Sequence, residues 1–564
     1  MRSSVAPSPE EVLSPSLPRR GVNGSRRGVM VGAIGLAIVG GLVLASWFLY
    51  VLSVHASAGN SDGATVVLEG QSFAAGHLTL KGWALSLDSF WLLDVLFYAI
   101  FVAIDGLRGA YLNLVPAVIA ALVVLVSLRL ATLGRRREGA AAAALTVIAI
   151  IGLPTTFFAS QFLQGPLHVA TALWCLVAFL LLRHGRMDWR FWLAAVLFAT
   201  AMVSDLQALF FGVVPVAMAG AAQMVRRRKV AAGVVPVAAA VASGVIAIVI
   251  RAIGDLIGTF YVNSPQQAVS HGQMFSNVGL ALSYGTKLLG IGLPGLVSPA
   301  TPKHLEDAHY LAVLVIAVVV CYAIGRLLMG LVGGPAVLAP QIEEAELPGA
   351  QRYPAPGADF LDDILLLAGM ADVAIFIDLT QSAAYPYARY LTAAVIFAAI
   401  LTGRVLGRFI DGLAPGWWRR GLAVLGAVII AAFAAGIADG INSPAPVQPA
   451  AALAAFLEQH HLKVGLGDYW SSSIVTLESQ GKVVVRPVVT NLQGQLLAYP
   501  RNSEPSWFNH VGFQFFVFQP PDPFGGANQV AAELTFGKPA QIYNADGYIV
   551  LVWAAPHQLP PGQA

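Results

Sequence analysis

The sequence is poor in charge and in cysteine. Only 11% of its 564 residues are charged and 57% are hydrophobic, whereas a soluble globular chain carries about 25% charged residues. A deficit of this size excludes a protein whose whole surface faces water. The two cysteines, Cys175 and Cys321, lie inside apolar runs. They exclude a disulfide framework or cysteine-based metal site and favour a packing role.

Motifs for nucleotides and metals are also missing. The chain has no GxGxxG, Walker or HExxH pattern in a fitting context, which argues against a nucleotide-sugar donor. His304 and His309 are five residues apart and form only a weak metal-ligand pattern. We therefore expect no cofactor, and the sequence gives no support for a divalent metal. The basic residues form short clusters between apolar runs, a pattern that excludes a nucleic-acid partner.

Long apolar runs fill most of the chain and predict an α-helical polytopic membrane protein with about eleven transmembrane helices. The predicted spans are Gly28–Val54, Tyr111–Leu133, Ala140–Phe158, Pro166–Leu182, Phe191–Val203, Ala208–Met224, Val230–Ile250, Tyr310–Val332, Leu361–Ile377, Leu391–Val405 and Leu422–Ile441. The run Phe90–Ile104 is shorter and is interrupted by Asp94 and Asp105. It predicts a helix that lies at the membrane surface or re-enters the bilayer.

The arginine clusters predict the orientation of these spans. They comprise Arg19, Arg20, Arg26 and Arg27 before the first span, Arg135–Arg137, Arg183–Arg190, Arg226–Lys229, and Arg404–Arg420. All fall on one side, which the positive-inside rule makes cytoplasmic. The N-terminus is then cytoplasmic, and an odd number of spans places the C-terminus outside. The expected location is the plasma membrane, with the first span as an uncleaved signal anchor.

These predictions divide the chain into three parts. Residues 1–27 are a polar, disordered N-terminus, 28–441 a transmembrane domain, and 442–564 an extracytoplasmic α/β domain. The transmembrane domain includes a first outer loop (55–109), a large outer loop (251–309) and a cytoplasmic linker (333–359). In the C-terminal domain, Ala451–His461 predicts a helix. Strands are predicted at Ser473–Leu477, Lys482–Val489, His510–Phe518 and Tyr548–Trp553.

The first outer loop carries the main catalytic candidate. Asp62 follows the first span in a turn rich in Gly and Ser, and a helix is predicted at Thr65–Ala75, ended by Gly76. One interpretation of Asp62 is a helix cap. The other is a general base at the membrane surface, which takes a proton from an acceptor hydroxyl.

An Asp at this position, followed by an interfacial helix and a core of many spans, resembles the C-type (GT-C) membrane glycosyltransferases, including protein O-mannosyltransferase-like and aminoarabinose-transferase-like enzymes. The segments 61–64, 77–83 and 467–470 are more similar to those of actinobacterial-type membrane glycosyltransferases. The resemblance implies a polyprenyl-phosphate-linked sugar donor and transfer at the outer face to a glycan, lipid or protein acceptor. Gly63 stands where some relatives carry a second acid, so Asp62 has no adjacent acidic partner.

Four further polar residues at outer span ends are secondary candidates for the catalytic or acceptor site: Asp88, Asp94, His168 and Asp205. Each also has a structural interpretation. Asp88 and Asp94 flank the interfacial helix, His168 can be a helix-end residue, and Asp205 can belong to the turn between two spans. Asp94 lies between apolar neighbours and therefore needs a partner or water.

A phosphate-linked donor requires cations on the outer face, where basic residues are scarce. Arg389, at the outer end of the tenth span among aromatic residues, and Lys81 are the candidates for binding the donor phosphate. Arg251 and Lys287 are weaker candidates. The alternative for Arg389 is a snorkelling anchor at the membrane surface.

Two other functions remain open at the level of the sequence. One is a transporter or flippase, although no matched pair of Gly/Pro-broken spans occurs in two halves of the chain. The other is a non-catalytic envelope scaffold whose C-terminal domain binds a partner.

Overall fold

The computed structural model describes residues 22–86, 88–262, 271–292, 303–333, 358–378, 385–414, 416–521 and 523–560. The chain divides into two compact units, Met1–Ala45 and Ser46–Ala564. Most of the predicted N-terminal segment and of the linker 333–359, and the side chain of His304, lie outside the described part.

Helices make up most of the described chain. They are α1 (Val22–Ala56), α2 (Ser61–Ala74), α3 (Asp94–Asp105), α4 (Tyr111–Thr132), α5 (Arg137–Val147), α6 (Thr156–Phe162), α7 (Val169–Leu182), α8 (Trp189–Ser204), α9 (Val214–Arg227), α10 (Val234–Ile257), α11 (His271–Leu288), α12 (Lys303–Gly333), α13 (Ala358–Asp378), α14 (Thr392–Gly412), α15 (Trp417–Asn442), α16 (Pro449–Gln459), α17 (Ser473–Glu478) and α18 (Gln529–Phe536).

Within the described residues, seven helical segments are long and apolar enough to cross a membrane. They are Gly35–Ala56, Tyr111–Thr132, Leu209–Arg227, Val234–Ile257, Asp307–Val332, Tyr387–Gly412 and Trp417–Asn442. The pair Arg137–Gly152 and Thr156–Phe162 also qualifies when taken together. The helices α7 and α8 are apolar but shorter, and α13 fills the remaining predicted segment. Each of the eleven predicted spans therefore has a helical counterpart, which agrees with the predicted polytopic helical fold.

One predicted span is not straight. Its two halves, α5 with the π-helical turn Ile148–Gly152 and α6, meet at an angle of 79°. Pro154 lies in the break, where its missing N–H and fixed φ prevent a continuous helix. The prediction of a continuous helix over 140–158 was therefore wrong.

Small residues bring α5 and α14 into close contact. Gly403 and Gly407 are four residues apart on α14. A Cβ added at Gly407 would lie 2.7 Å from the carbonyl oxygen of Gly139, and one at Gly403 would lie 2.8 Å from that of Ala143. This is the small-xxx-small packing that lets transmembrane helix backbones approach each other.

The C-terminal domain is built on a mixed sheet. Its six strands are β3 (Val464–Gly467), β4 (Val484–Thr490), β5 (Leu496–Ala498), β6 (Phe513–Phe518), β7 (Gln541–Ala545) and β8 (Tyr548–His557). Two further strands, β1 (Ala84–Leu85) and β2 (Tyr261–Val262), pair with each other outside this domain. The six strands of the domain have the order β5-β4-β3-β6-β8-β7, with β3 parallel to both neighbours. The predicted α/β class is confirmed. The strand predicted at 473–477 was wrong, because this segment forms α17.

The C-terminal domain packs on the first outer loop. Ala84 and Ser503 exchange two backbone hydrogen bonds of 2.8 and 3.3 Å, and the rings of Trp83 and Trp507 meet edge to face at 5.0 Å. Thr65 on α2 donates to the Ser473 hydroxyl of α17 over 2.9 Å. The first outer loop and the C-terminal domain therefore lie at the same end of the helical bundle.

Candidate active site

Asp62 is the second residue of α2, so the helix begins four residues earlier than predicted. Asn60 caps it, because the Asn60 Oδ1 accepts from the Gly63 amide over 2.9 Å. Asp62 is therefore not the cap. A carboxylate in the first turn of a helix is stabilised by the partial positive charge of the exposed backbone amides there. Because Asn60 takes the capping role, the carboxylate of Asp62 is available for other partners.

The C-terminal domain supplies the partner of Asp62. The Tyr469 hydroxyl donates to Asp62 Oδ1 and accepts from the Asn502 amide at 2.9 Å. Burial, together with the charge of Asp62, raises the pKa of Tyr469. The phenol therefore keeps its proton and remains a donor. Asp62 itself is half-buried, and its Oδ2 makes no hydrogen bond to the described protein atoms, so one carboxylate oxygen is free to accept a proton.

A second polar cluster lies at the start of α7, the end of α8 and the start of α14. Asp205, fully buried in the turn after α8, accepts from Thr171 and contacts the His168 Nδ1 at 2.7 Å. Its other oxygen accepts from the Gln207 amide over 3.0 Å. Burial opposes ionisation of Asp205, but His168 and these donors outweigh it and hold its pKa below the ordinary value. The carboxylate therefore fixes the orientation of the His168 ring.

Asp88 joins this cluster from the first outer loop. Its carboxyl is close enough to Asp205 to share a hydrogen bond. Burial raises the pKa of Asp88 to about 6, with the charge of Asp205 adding to the effect, while His168 and Arg389 act in the opposite direction. Hydrogen bonds from Phe90 and Leu92 to Ser204 hold this part of the loop against the end of α8. Asp88 therefore changes its charge near neutral pH.

Arg389 completes the cluster inside an aromatic frame. Its guanidinium lies 5.5 Å from the ring centres of both Tyr387 and Tyr390, and the Tyr390 ring lies 5.0 Å from His168. The Arg389 Nε is buried and has no hydrogen-bond partner in the part of the chain that the structure describes. A buried donor that is left unsatisfied is costly, so this side chain is well suited to bind an anion.

The remaining predicted residues lie outside these contacts. Asp94 is the first residue of α3 and is buried, and its Oδ2 has no hydrogen-bond partner among the described residues. Burial, and then the charge of Asp205, raises its pKa. Lys81 is exposed and packs against the end of α10 at Gly258. No described contact joins it to Arg389. No group of three or more His, Cys, Asp or Glu suited to a metal ion occurs among the described residues.

The two polar clusters are neighbours. A Cβ added at Gly165 would lie 3.6 Å from the Gly63 Cα, and one added at Gly63 would lie 3.8 Å from Pro166. Asp62 immediately precedes Gly63, and His168 follows two residues after Pro166. The first turn of α2 is thus packed against the segment that positions His168.

An apolar cavity lies within the helical bundle. It has a volume of about 160 Å³ and lies between α11, α12, α13 and α14. Its lining comprises Ala281, Gly285, Leu289, Ile316, Val373, Leu391, Ala394, Val395 and Ala398. Leu391, which lines the cavity, lies two residues after Arg389 in the chain.

This arrangement of helices and C-terminal domain also occurs in a solved structure. The chain superimposes on the crystal structure of ArnT from Cupriavidus metallidurans in the apo state, with a TM-score of 0.52 and 12% sequence identity. The match covers 92% of this chain and 98% of that chain. The two chains therefore share a fold, in agreement with the predicted helical membrane domain and C-terminal α/β domain. No protein-family model and no curated protein sequence matches the chain.

The structure also contains site residues that sequence reasoning missed. Tyr469 contacts Asp62 from 407 residues further along the chain, and Asn502 contacts Tyr469 from 33 residues away. Thr171 and Tyr390 contact the His168–Asp205 pair. The only available signal for Tyr469 was its place in the Tyr-Trp element at 469–470, which indicated a family and not a contact.

Proposed function

We propose that the chain is a membrane glycosyltransferase that transfers a sugar from a polyprenyl-phosphate-linked donor to an acceptor hydroxyl at the outer face of the membrane. The proposal rests mainly on Asp62, a half-buried carboxylate with one oxygen held by Tyr469 and the other free. A general base needs this combination of fixed orientation and an accessible lone pair. The shared fold with ArnT supports a glycosyltransferase.

The donor would bind at the second cluster. Arg389 offers planar N–H groups to phosphate oxygens, and the neighbouring apolar cavity would take part of the prenyl chain. His168, oriented by Asp205, lies beside the same aromatic frame and is placed to donate to the phosphate. Lys81 remains a candidate for a second cation only if the outer loops rearrange when the donor binds.

The transfer follows from these positions. Asp62 accepts the proton of the acceptor hydroxyl while the oxygen forms a bond to the anomeric carbon of the sugar. The bond between that carbon and the phosphate oxygen breaks, and its electrons leave with the prenyl phosphate. Arg389 stabilises the charge that develops on the phosphate, the type of electrostatic contribution that lowers a transfer barrier most.

The proposed orientation in the membrane follows from the Arg-rich end of the helical bundle. The Arg-rich ends of α9 and α14 carry buried ion pairs, with Arg226 bound to Asp363 and Arg404 to Asp362 over 2.6 Å each. The positive-inside rule assigns this end to the cytoplasm. The N-terminus would then be cytoplasmic and the C-terminal domain extracytoplasmic, in the plasma membrane.

The substitution Asp62→Asn tests the proposal. It keeps the volume and the hydrogen bond to Tyr469 but removes the base, so we expect sugar transfer to fall by about 100-fold or more with normal expression. The measurement is incorporation of labelled sugar into the cell envelope. Asp105→Asn, in the same loop and paired only with exposed Arg108, is the matched control. Unchanged transfer with altered lipid export would favour a flippase, and no effect on either would favour a scaffold.

A further inference from the structure

An aromatic cluster of the C-terminal domain packs around Tyr469, the hydrogen-bond partner of Asp62. We call Trp470, Tyr499 and Phe524 the aromatic shelf. The three rings pack around Tyr469, whose ring centre lies 4.9 Å from those of Trp470 and Tyr499 and 5.4 Å from that of Phe524. Tyr469 is buried, whereas Tyr499 and Phe524 are half-buried and Trp470 is 43% exposed. Three partly exposed aromatic rings therefore border the side chain that binds Asp62.

The position of the shelf is fixed by the backbone. The Trp470 carbonyl accepts from the Ser61 hydroxyl over 3.0 Å, and Asp468 caps the short helical turn of residues 469–471 by accepting from the Ser471 amide at 2.8 Å. Trp470 is therefore held beside the residue that precedes Asp62. A contiguous exposed apolar patch with polar residues at its rim is typical of an interaction or ligand-binding site.

The polar groups at the edge of the shelf define its ligand. They are the Asp62 oxygen that Tyr469 leaves free and the side chains of Asn502, which donates to Tyr469, and of Arg501, which lies near Tyr499. Acceptors and donors thus surround an aromatic face. A pyranose or furanose ring has the complementary form, with a C–H face that stacks on aromatic rings and a rim of hydroxyls. An acyl chain would leave these polar groups without partners, at a cost in free energy.

We propose that the aromatic shelf is the acceptor subsite and that it binds a sugar ring, so that the acceptor is a glycan. A stacked ring here brings its hydroxyls to Asp62 Oδ2. The assignment of the ring as acceptor depends on the proposed function, but the binding of the ring does not.

Saturation-transfer NMR on the full-length chain in nanodiscs tests the proposal. The probes are short glucan, mannan and arabinan oligosaccharides. We expect saturation of ring C–H protons of at least one of them, reduced at least fivefold in Trp470→Leu and in Phe524→Leu. Trp417→Leu is the matched control, because Trp417 is also exposed, at 68%, but is the first residue of α15, at the Arg-rich end. Unchanged melting temperatures establish that the variants fold.

Three outcomes would overturn the proposal: no oligosaccharide is saturated, Trp470→Leu and Phe524→Leu leave the saturation unchanged, or Trp417→Leu reduces it equally. The variant Arg389→Ala separates this inference from the proposed function. It should abolish sugar transfer from a prenyl-phosphate donor and leave oligosaccharide binding intact. Binding without any transfer would leave the shelf as a glycan site and refute only the enzymatic role.

Discussion

Ionisation of Asp88 makes the net charge of the second polar cluster, which also contains His168, Asp205 and Arg389, depend on pH. Its pKa is raised to about 6, first by burial and then by Asp205, so the neutral form is favoured in the folded protein below that pH. Above pH 6 the carboxylate is ionised and places a negative charge near Arg389. A bound phosphate would compete with the Asp88 carboxylate for Arg389. The affinity for a phosphate-linked donor should therefore decrease as the pH rises.

We expect the dissociation constant of a short-chain prenyl phosphodiester to increase several-fold between pH 5 and pH 7. The charge of a diester is constant in this range, so the change reports on the protein. Asp88→Asn should bind with the low-pH affinity throughout and show no such dependence. Isothermal titration calorimetry of both proteins measures this directly, and a wild-type affinity that is constant or rises with pH would contradict it.

Individual residues differ in how far the sequence predicted their environment. The positions of Asp88, His168, Asp205 and Arg389 at outer span ends followed from hydropathy and charge, and the structure brings these four together. The partner of Asp62 could not be predicted, because Tyr469 lies 407 residues further along the chain. Local patterns contain no information on such a contact.

At the scale of elements, the contact between α5 and α14 depends on glycine. Gly407→Leu would force a side chain into the Gly139 backbone, 2.7 Å from the position of the first added carbon. Overpacking of this kind costs roughly 1–3 kcal/mol, so we expect the melting temperature to fall by several degrees. Gly412→Leu on the same helix is the control, since no atom lies within 4 Å of its added Cβ. Equal melting temperatures for the two variants would refute this packing.

Helices were predicted better than their ends and interruptions. Apolar length identified the spans, but not the bend at Pro154, because hydropathy windows average over a break of a few residues. Residues 473–477 are all buried, and a short, continuously buried run has no periodicity that separates a helix from a strand. The start of α2 was missed because the capping role belongs to Asn60 and not to Asp62.

In the whole molecule, the first outer loop and the C-terminal domain lie at the same end of the helical bundle. This predicts which cysteine variants a chemical label can reach from outside the cell. In a background with Cys175 and Cys321 replaced by Ala, His77→Cys and Leu492→Cys should react with a membrane-impermeant maleimide in intact cells. Both residues are exposed. Trp417→Cys, at the other end of the bundle, should react only after permeabilisation. Labelling of the first two on opposite sides of the membrane would exclude the proposed site.

The hydrogen bond between Tyr469 and Asp62 also has a consequence for biogenesis. Chains are synthesised from the N-terminus, so α2 is made and inserted long before its tyrosine partner leaves the ribosome. A nascent chain that stops before the sheet domain would have all its bilayer-embedded helices and still lack the hydroxyl that binds the proposed base. If the proposed function holds, the protein becomes competent only after its final domain has folded, when its membrane assembly is already complete.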